Sequence, residues 1–331
     1  MKKMIYNGFD SVKSNQKSNS KSNRAIKIYS IIFAIAFFLM AVYVAISHIL
    51  GSLYKPETGL EFVALHNSTD TVKAKQALAD KHANRARVLT DRQKEERNTT
   101  FDKIIFETQG DETARQQALE EMGIFKLETS DEIVGNGRST NASKVTLSVP
   151  TVYYDAYTGE WVLMADGSWK NIDGLETPTF WFASVGDEFN IGGTDAVGIL
   201  LTDTYGDFNG ISLMEGTGQF WGDGITATYN RDGMIPSSNG AIFKLQDKIK
   251  ITRRAGFIIY VYEYSYNAFD FYTHLRYNAN FVNYRGNAVL FYAHTWDKTE
   301  LNGISIGLDS IGVSWSNGSS GWNAIGNDKP F

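Results

Sequence analysis

The chain has 331 residues, 37 of them acidic and 32 basic, and it contains no cysteine. That excludes disulfides, thiolate zinc sites, iron–sulfur clusters, c-type haem and thiol nucleophiles. With 43% hydrophobic and 21% charged residues it is too apolar to remain disordered, and its length suits about one or two ordinary domains.

The net charge of −5 is the sum of three unlike parts. Residues 1–27 carry seven Lys or Arg against Asp10 alone, residues 28–54 carry no charge, and from Lys55 onward 25 basic residues face 36 acidic ones. The first part, with its Ser/Asn/Lys tract from Ser11 to Arg24, has little to bury and reads as a disordered tail. Its basic residues fit a topology signal or adhesion to anionic lipid heads. Residues 28–50 form an uncharged run of 23, long enough as a helix to cross a hydrocarbon core of about 30 Å. This predicts a transmembrane signal-anchor, its N-terminus cytoplasmic by the positive-inside rule and everything beyond it extracellular. A cleaved signal peptide would have a shorter apolar region ending in a small-x-small site, whereas Ala45-Ile46-Ser47 is followed by His48, Ile49 and Leu50.

Residues 55–144 lack tryptophan and are rich in helix formers, and they read as a helical stalk and linker. Thr69 to Asn98 predicts a polar helix, capped by Thr69 or Asp70 and sparing in apolar positions. A second helix begins at Asp111, repeats Ala114, Ala118, Leu119 and Met122 at helical spacing, and closes at Gly123. It is expected to pack on the domain C-terminal to it. The breaker stretch Gly135 to Ser143 (GNGRSTNAS) marks the linker.

Residues 145–331 hold all seven tryptophans and 23 of the 30 glycines, with short alternating or apolar runs between Asn/Asp/Gly turns. Strands are predicted at Val145–Val149, Trp161–Ala165, Thr179–Ala183, Val197–Thr202, Ile211–Met214, Ile225–Tyr229, Ala241–Leu245, Lys248–Arg253, Phe257–Tyr266, Phe269–Tyr277, Ala288–Trp296, Gly303–Leu308 and Gly312–Trp315. Without intervening periodic helices the expected fold is an all-β antiparallel extracytoplasmic domain, a sandwich or jelly roll first and a barrel second. Strict alternation in GFIIYVYEYSY puts Tyr260, Tyr262, Tyr264 and Tyr266 on one face. Such a row is either half core or an exposed stacking platform.

Chemistry is harder to find. His274 and His294 could meet, with Asp270 or Asp297, in a metal or acid–base site if their strands were neighbours; otherwise they are packed or solvated histidines. The domain's twenty carboxylates include the strand-proximal Glu160, Glu215 and Glu263, but no paired-acid signature of a glycoside hydrolase. Asp203 to Gly210 lacks calcium-loop ligands, Gly216-Thr217-Gly218 lacks a third glycine and a helix, and neither a Walker sequence nor a serine elbow occurs. Asn67, Asn98, Asn141 and Asn317 begin glycosylation sequons.

The C-terminal YAHTWDKTELNGISIGLDSIGVSWSNGSSGW, with ALEEMGIFKL and VYYDAYTGEWVLMADGSWKN before it, resembles exported β-rich proteins of Gram-positive bacteria. The resemblance implies a bacterial surface address and carries over no functional residue. The leading expectation is a membrane-anchored surface binding module for a glycan or a protein. Tyr260, Tyr262, Tyr264, Tyr266, Trp161, Trp169 and Trp221 are its candidate contacts. No cofactor is expected, and the acidic exterior disfavours nucleic acid. The alternatives are a jelly-roll glycan hydrolase and a toxin or its immunity partner.

Overall fold

A computed structural model describes residues 69–128, 144–171, 183–202, 210–222, 225–237, 239–255, 261–296, 301–306, 311–315, 321–326 and 329–331. The expected tail, the apolar run at 28–50, the Gly135–Ser143 linker and the Asp203 loop lie outside these residues or nearly so. Among the described residues no helix is long and apolar enough to cross a membrane.

Three helices come first: α1 (Thr69–His82), α2 (Asp91–Glu107) and α3 (Glu112–Glu121). The single helix expected over Thr69–Asn98 is therefore two. A short 3-10 turn, Ala83–Arg85, ends the first, and a capping box starts the second. There the Thr90 hydroxyl accepts the Gln93 N–H, and the Gln93 side chain accepts the Thr90 N–H at 2.9 Å. Asp111 caps α3 by accepting from the Ala114 N–H, and Gly123 closes it at φ +77°, a conformation that disfavours a side chain.

The strands come next: β1 (Ile124–Lys126), β2 (Val145–Leu147), β3 (Thr151–Asp155), β4 (Glu160–Trp169), β5 (Glu188–Thr202), β6 (Leu213–Gly222), β7 (Ile225–Asn230), β8 (Met234–Ser237), β9 (Gly240–Ala255) and β10 (Val261–Tyr266). Then come β11 (Asp270–Tyr277), β12 (Asn287–Thr295), β13 (Leu301–Ile306), β14 (Ile311–Trp315), β15 (Gly321–Ile325) and β16 (Lys329–Pro330). One sheet runs β1-β3-β4-β11-β6-β7, with β2 also on β4. The second runs β10-β9-β5-β12-β15, with β8 on β9 and β16 on β12, and β13 pairs β14 separately. All these pairings are antiparallel, as expected. The runs at Ala241–Leu245 and Lys248–Arg253 are one strand, and β3 is a strand that the turn-like texture of YYDAYTG concealed.

The sheets face each other through aromatic side chains. Phe271 of β11 stacks on Tyr292 of β12 at 4.2 Å between centroids, and Trp169 of β4 meets Tyr292 and Trp322 edge-on. Close approach explains the glycines of β6: a Cβ on Gly218 would lie 2.6 Å from the Phe243 Cβ. Gly216 and Gly218 thus serve sheet packing, not phosphate binding.

The opposite face of the first sheet is covered by helices. Phe101, Ile105 and Leu119 pack with Tyr153, Val162, Met164, Trp221 and Tyr272 in one buried cluster. Fully burying side chains of this size contributes about 1.5–3 kcal/mol each. These helices are accordingly a layer of the domain, a correction to the stalk expected over 55–144. The expectation weighed the polar stretch up to Asn98, whereas the apolar anchors Phe101, Ile104 and Ile105 come after it. Asn98 is itself buried on α2, so its sequon is closed.

Candidate functional site

Alternation along β11 divides its polar residues from the space between the sheets. Tyr272, His274 and Arg276 point to the helices, while Phe271 points to the second sheet. On the inner face of the second sheet, β5, β9 and β12 contribute Asp195, Asp247 and His294, each fully buried. The pairings Ala196 to Ala293 and Asp195 to Leu245 set His294 beside Asp195 and Asp247 diagonally across from it. One donor atom from each of the three lies within 4.8 Å of the others.

Asp195 is heavily engaged. Its Oδ2 accepts from the Tyr292 hydroxyl at 2.8 Å and faces His294 Nδ1 at 2.9 Å, and its Oδ1 accepts from the Thr295 N–H at 2.8 Å. Trp169 Nε1–H in turn donates to the Tyr292 oxygen at 3.1 Å. Burial, then the charge of Asp195, pushes the Tyr292 phenol well above its ordinary range, so it stays protonated and donates. Gln246 Nε2 donates to Asp247 Oδ1 at 3.2 Å. The rings of Trp169, Trp296 and Trp322 surround His294, whose Nε2 is buried and has no hydrogen-bond partner. A histidine held through Nδ1 with Nε2 left over has the polarity of a metal ligand or a base. Its enclosure keeps large substrates away.

The helix-facing side carries a second polar cluster. His274 Nδ1 lies 2.8 Å from the Tyr272 hydroxyl and 3.2 Å from Asp102 Oδ1, while Arg231 donates to Asp102 Oδ2 at 2.6 Å. Burial alone would raise the Asp102 carboxyl, but His274 and Arg231 outweigh it and hold it below its ordinary range. Asp155 is bound by Arg97 through two hydrogen bonds at 2.7 and 2.8 Å, and by Arg276 at 3.0 Å. These arginines likewise outweigh burial and depress its pKa. Arg276 also approaches Glu160 and Glu215, each at 3.4 Å. Burial raises the pKa of Glu215 despite Arg276.

The two histidines singled out from the sequence therefore do not form one site. They bind different carboxylates, one on each side of the first sheet, because β11 and β12 belong to different sheets. Asp270 lies on β11, and Asp297 lies outside the described residues. Trp161, Trp169 and Trp221 are only 1%, 2% and 4% exposed, and Tyr266 only 6%. Their rings are used in packing, a correction to their reading as ligand contacts. Tyr266 pairs with the buried Ile249, which explains its inward face. Tyr260 lies outside the described residues; Tyr262 and Tyr264 are on the edge strand β10, their side chains not among those described. Glu263 forms an exposed pair with Arg253.

Asp102, Asp155, Asp195, Asp247, Arg97 and Arg276 were not anticipated. The one local sign was a charged residue within an apolar strand, such as Asp195 before AVGILL. No family model matches the chain, and no curated protein matches it. A solved structure described as "AvmM Catalyzes Macrocyclization in Alchivemycin A Biosynthesis" aligns with 52% of this chain and 87% of its own, at 9% identity and a TM-score of 0.18. So loose an overlap carries neither fold nor activity to this chain.

Proposed function

We propose that the protein is a single-pass cell-surface binding module. Residues 28–50 hold it in the lipid bilayer, its basic tail is cytoplasmic, and its sandwich, read as a jelly roll, engages an extracellular glycan or protein. The carrying observation is the enclosure of the candidate acid–base side chains: His274, His294, Asp155 and Asp195 are at most 1% exposed. Such groups serve cohesion, and the domain meets its surroundings through its outer surface. The charge division and the 23-residue uncharged run support the anchored, outward-facing topology.

Full-length chain in nanodiscs, applied to glycan and surface-protein arrays, tests this reading. Retention of one ligand class, weakened by Tyr262→Ala with Tyr264→Ala, is expected; a parent chain that retains nothing would sink it. Protease added to intact cells should remove the β domain and spare the tail.

One observation favours a second reading, a glycan hydrolase. Glu160 and Glu215 converge on Arg276, and the raised pKa of Glu215 suits a proton donor. Release of reducing sugar by the parent and its loss in Glu215→Gln would move the assignment to this enzyme class.

A further inference from the structure

We propose that α1 is an acid-sensitive strap, a helix laid over an aromatic row of the domain whose hold loosens, ahead of the rest of the fold, as the pH falls. Its anchoring differs from that of the other helices. Phe101, Ile105 and Leu119 tie α2 and α3 into an apolar cluster, whereas on α1 the buried side chains among those described are Lys75 and His82. Val72, Ala74, Leu78 and Ala79 are only half-buried. Beneath the helix the rings form a chain: Phe125 is paired with Tyr154, Tyr154 meets Trp161, Trp161 meets Phe281, and Phe281 stacks on Tyr284. Lys75 Nζ donates to the Tyr284 and Phe281 carbonyls and lies 5.1 and 5.7 Å from the Phe281 and Tyr284 ring centroids. At the other end of α1 the His82 ring stacks on Phe125, 3.7 Å between centroids. Both fastenings are therefore groups that take up a proton, placed where burial disfavours the charge.

The charges around them do not offset this. Arg285 faces Lys75, and Arg85 and Lys81 face His82. The acids of the neighbourhood are engaged elsewhere: Asp80 accepts from Gln76, Glu120 of α3 accepts from Gln116, and Glu112 binds Lys126 of β1. Glu128 lines the groove that His82 shares with Glu120 and Lys126, and among the described residues no carboxylate comes within ion-pair distance of Lys75 or His82. Burial, then Arg285, accordingly lowers the Lys75 pKa from 10.5 to about 7, and burial, then Arg85 and Lys81, lowers that of His82 from 6.5. A released α1 regains the ordinary values and binds both protons more tightly than a docked one. Docking therefore weakens through Lys75 as the pH falls from 10.5 to about 7, and through His82 below 6.5. Each opening uncovers the rings of Phe125, Phe281 and Tyr284.

Amide hydrogen exchange of the full-length chain, corrected for the intrinsic rate at each pH, tests the strap helix by helix. Protection of α1 should fall on the order of fiftyfold between about pH 9 and about pH 7, and again in milder degree below about 6.5, while α2 and α3 keep theirs. Lys75→Met should abolish the first fall and His82→Phe the second. Protection of α1 that ignores pH, an equal fall in α2 and α3, or a variant that keeps the parent's fall in its own range overturns the strap. Should Lys75→Met fail to fold, Arg285→Glu at an exposed position decides. Its carboxylate favours the buried ammonium, so stronger α1 protection at about pH 7 supports the strap and unchanged protection overturns it.

Discussion

Among the described residues, the domain holds two buried histidine–aspartate pairs of similar geometry in contrasting company. At the helix–sheet interface, His274 and Asp102 belong to a network with Arg231, next to the Arg97–Asp155–Arg276 clamp. Between the sheets, His294 and Asp195 are enclosed by Trp169, Tyr292 and Trp322. In the first region each described carboxylate finds a guanidinium, so positive charge is already supplied by the chain. In the second, hydroxyl, amide and imidazole groups satisfy Asp195, and a histidine nitrogen is left over. The first arrangement fastens helices to a sheet; the second fastens neighbouring strands of the other sheet to one another.

Breaking the clamp should have the largest effect. Asp155→Ala strands Arg97 and Arg276 without their shared carboxylate, and a loss of about 3–5 kcal/mol is expected in denaturant unfolding. A loss below about 1 kcal/mol would mean that apolar contacts alone hold the helices, erasing the contrast.

Lys75 gives the helical layer a pH signature. Its ammonium donates to the Tyr284 and Phe281 carbonyls at 2.6 and 3.4 Å, yet burial, then Arg285, lowers its pKa from 10.5 to about 7. Between those values the unfolded chain binds the proton and the folded chain releases it, so stability should rise with pH from about 7 to about 10.5. The change is on the order of a few kcal/mol. Unfolding midpoints across that window should show the rise, and Lys75→Met should flatten it.

On the inter-sheet side, Tyr292→Phe removes the donor to Asp195 and the acceptor for Trp169, with an expected cost of about 1–3 kcal/mol. No measurable change would show that water or a rearranged ring serves both groups equally well. Thr90→Ala deletes half of the α2 capping box and should cost about 1 kcal/mol, with both buried histidine environments unchanged by NMR. A shift confined to His274 would instead tie the cap to the clamp.

Much of the fold was legible because its signals are local. Gly123 ends a helix, short apolar or alternating runs make β4, β11 and β12, and Asn/Asp/Gly turns separate them. The α2 anchors escaped notice because Phe101, Ile104 and Ile105 come after a polar stretch whose own face is charged. The site was less legible. Asp195 and His294 are separated by 99 residues, and Arg97 and Asp155 by 58. No spacing rule links residues that only sheet register or helix docking brings together.

By itself, the sequence determined an antiparallel β-rich chain, the helix-forming segment before it, and the expectation of an anchor at 28–50. Period and turn chemistry act over a few residues, so composition and pattern suffice for these. Only the tertiary structure decided that the helices cover a sheet, that Trp161, Trp169, Trp221 and Trp322 are buried, and that His274 and His294 lie on opposite sides of that sheet. Those outcomes depend on which strands pair and which face each turns to the core, a choice made by packing across the whole domain.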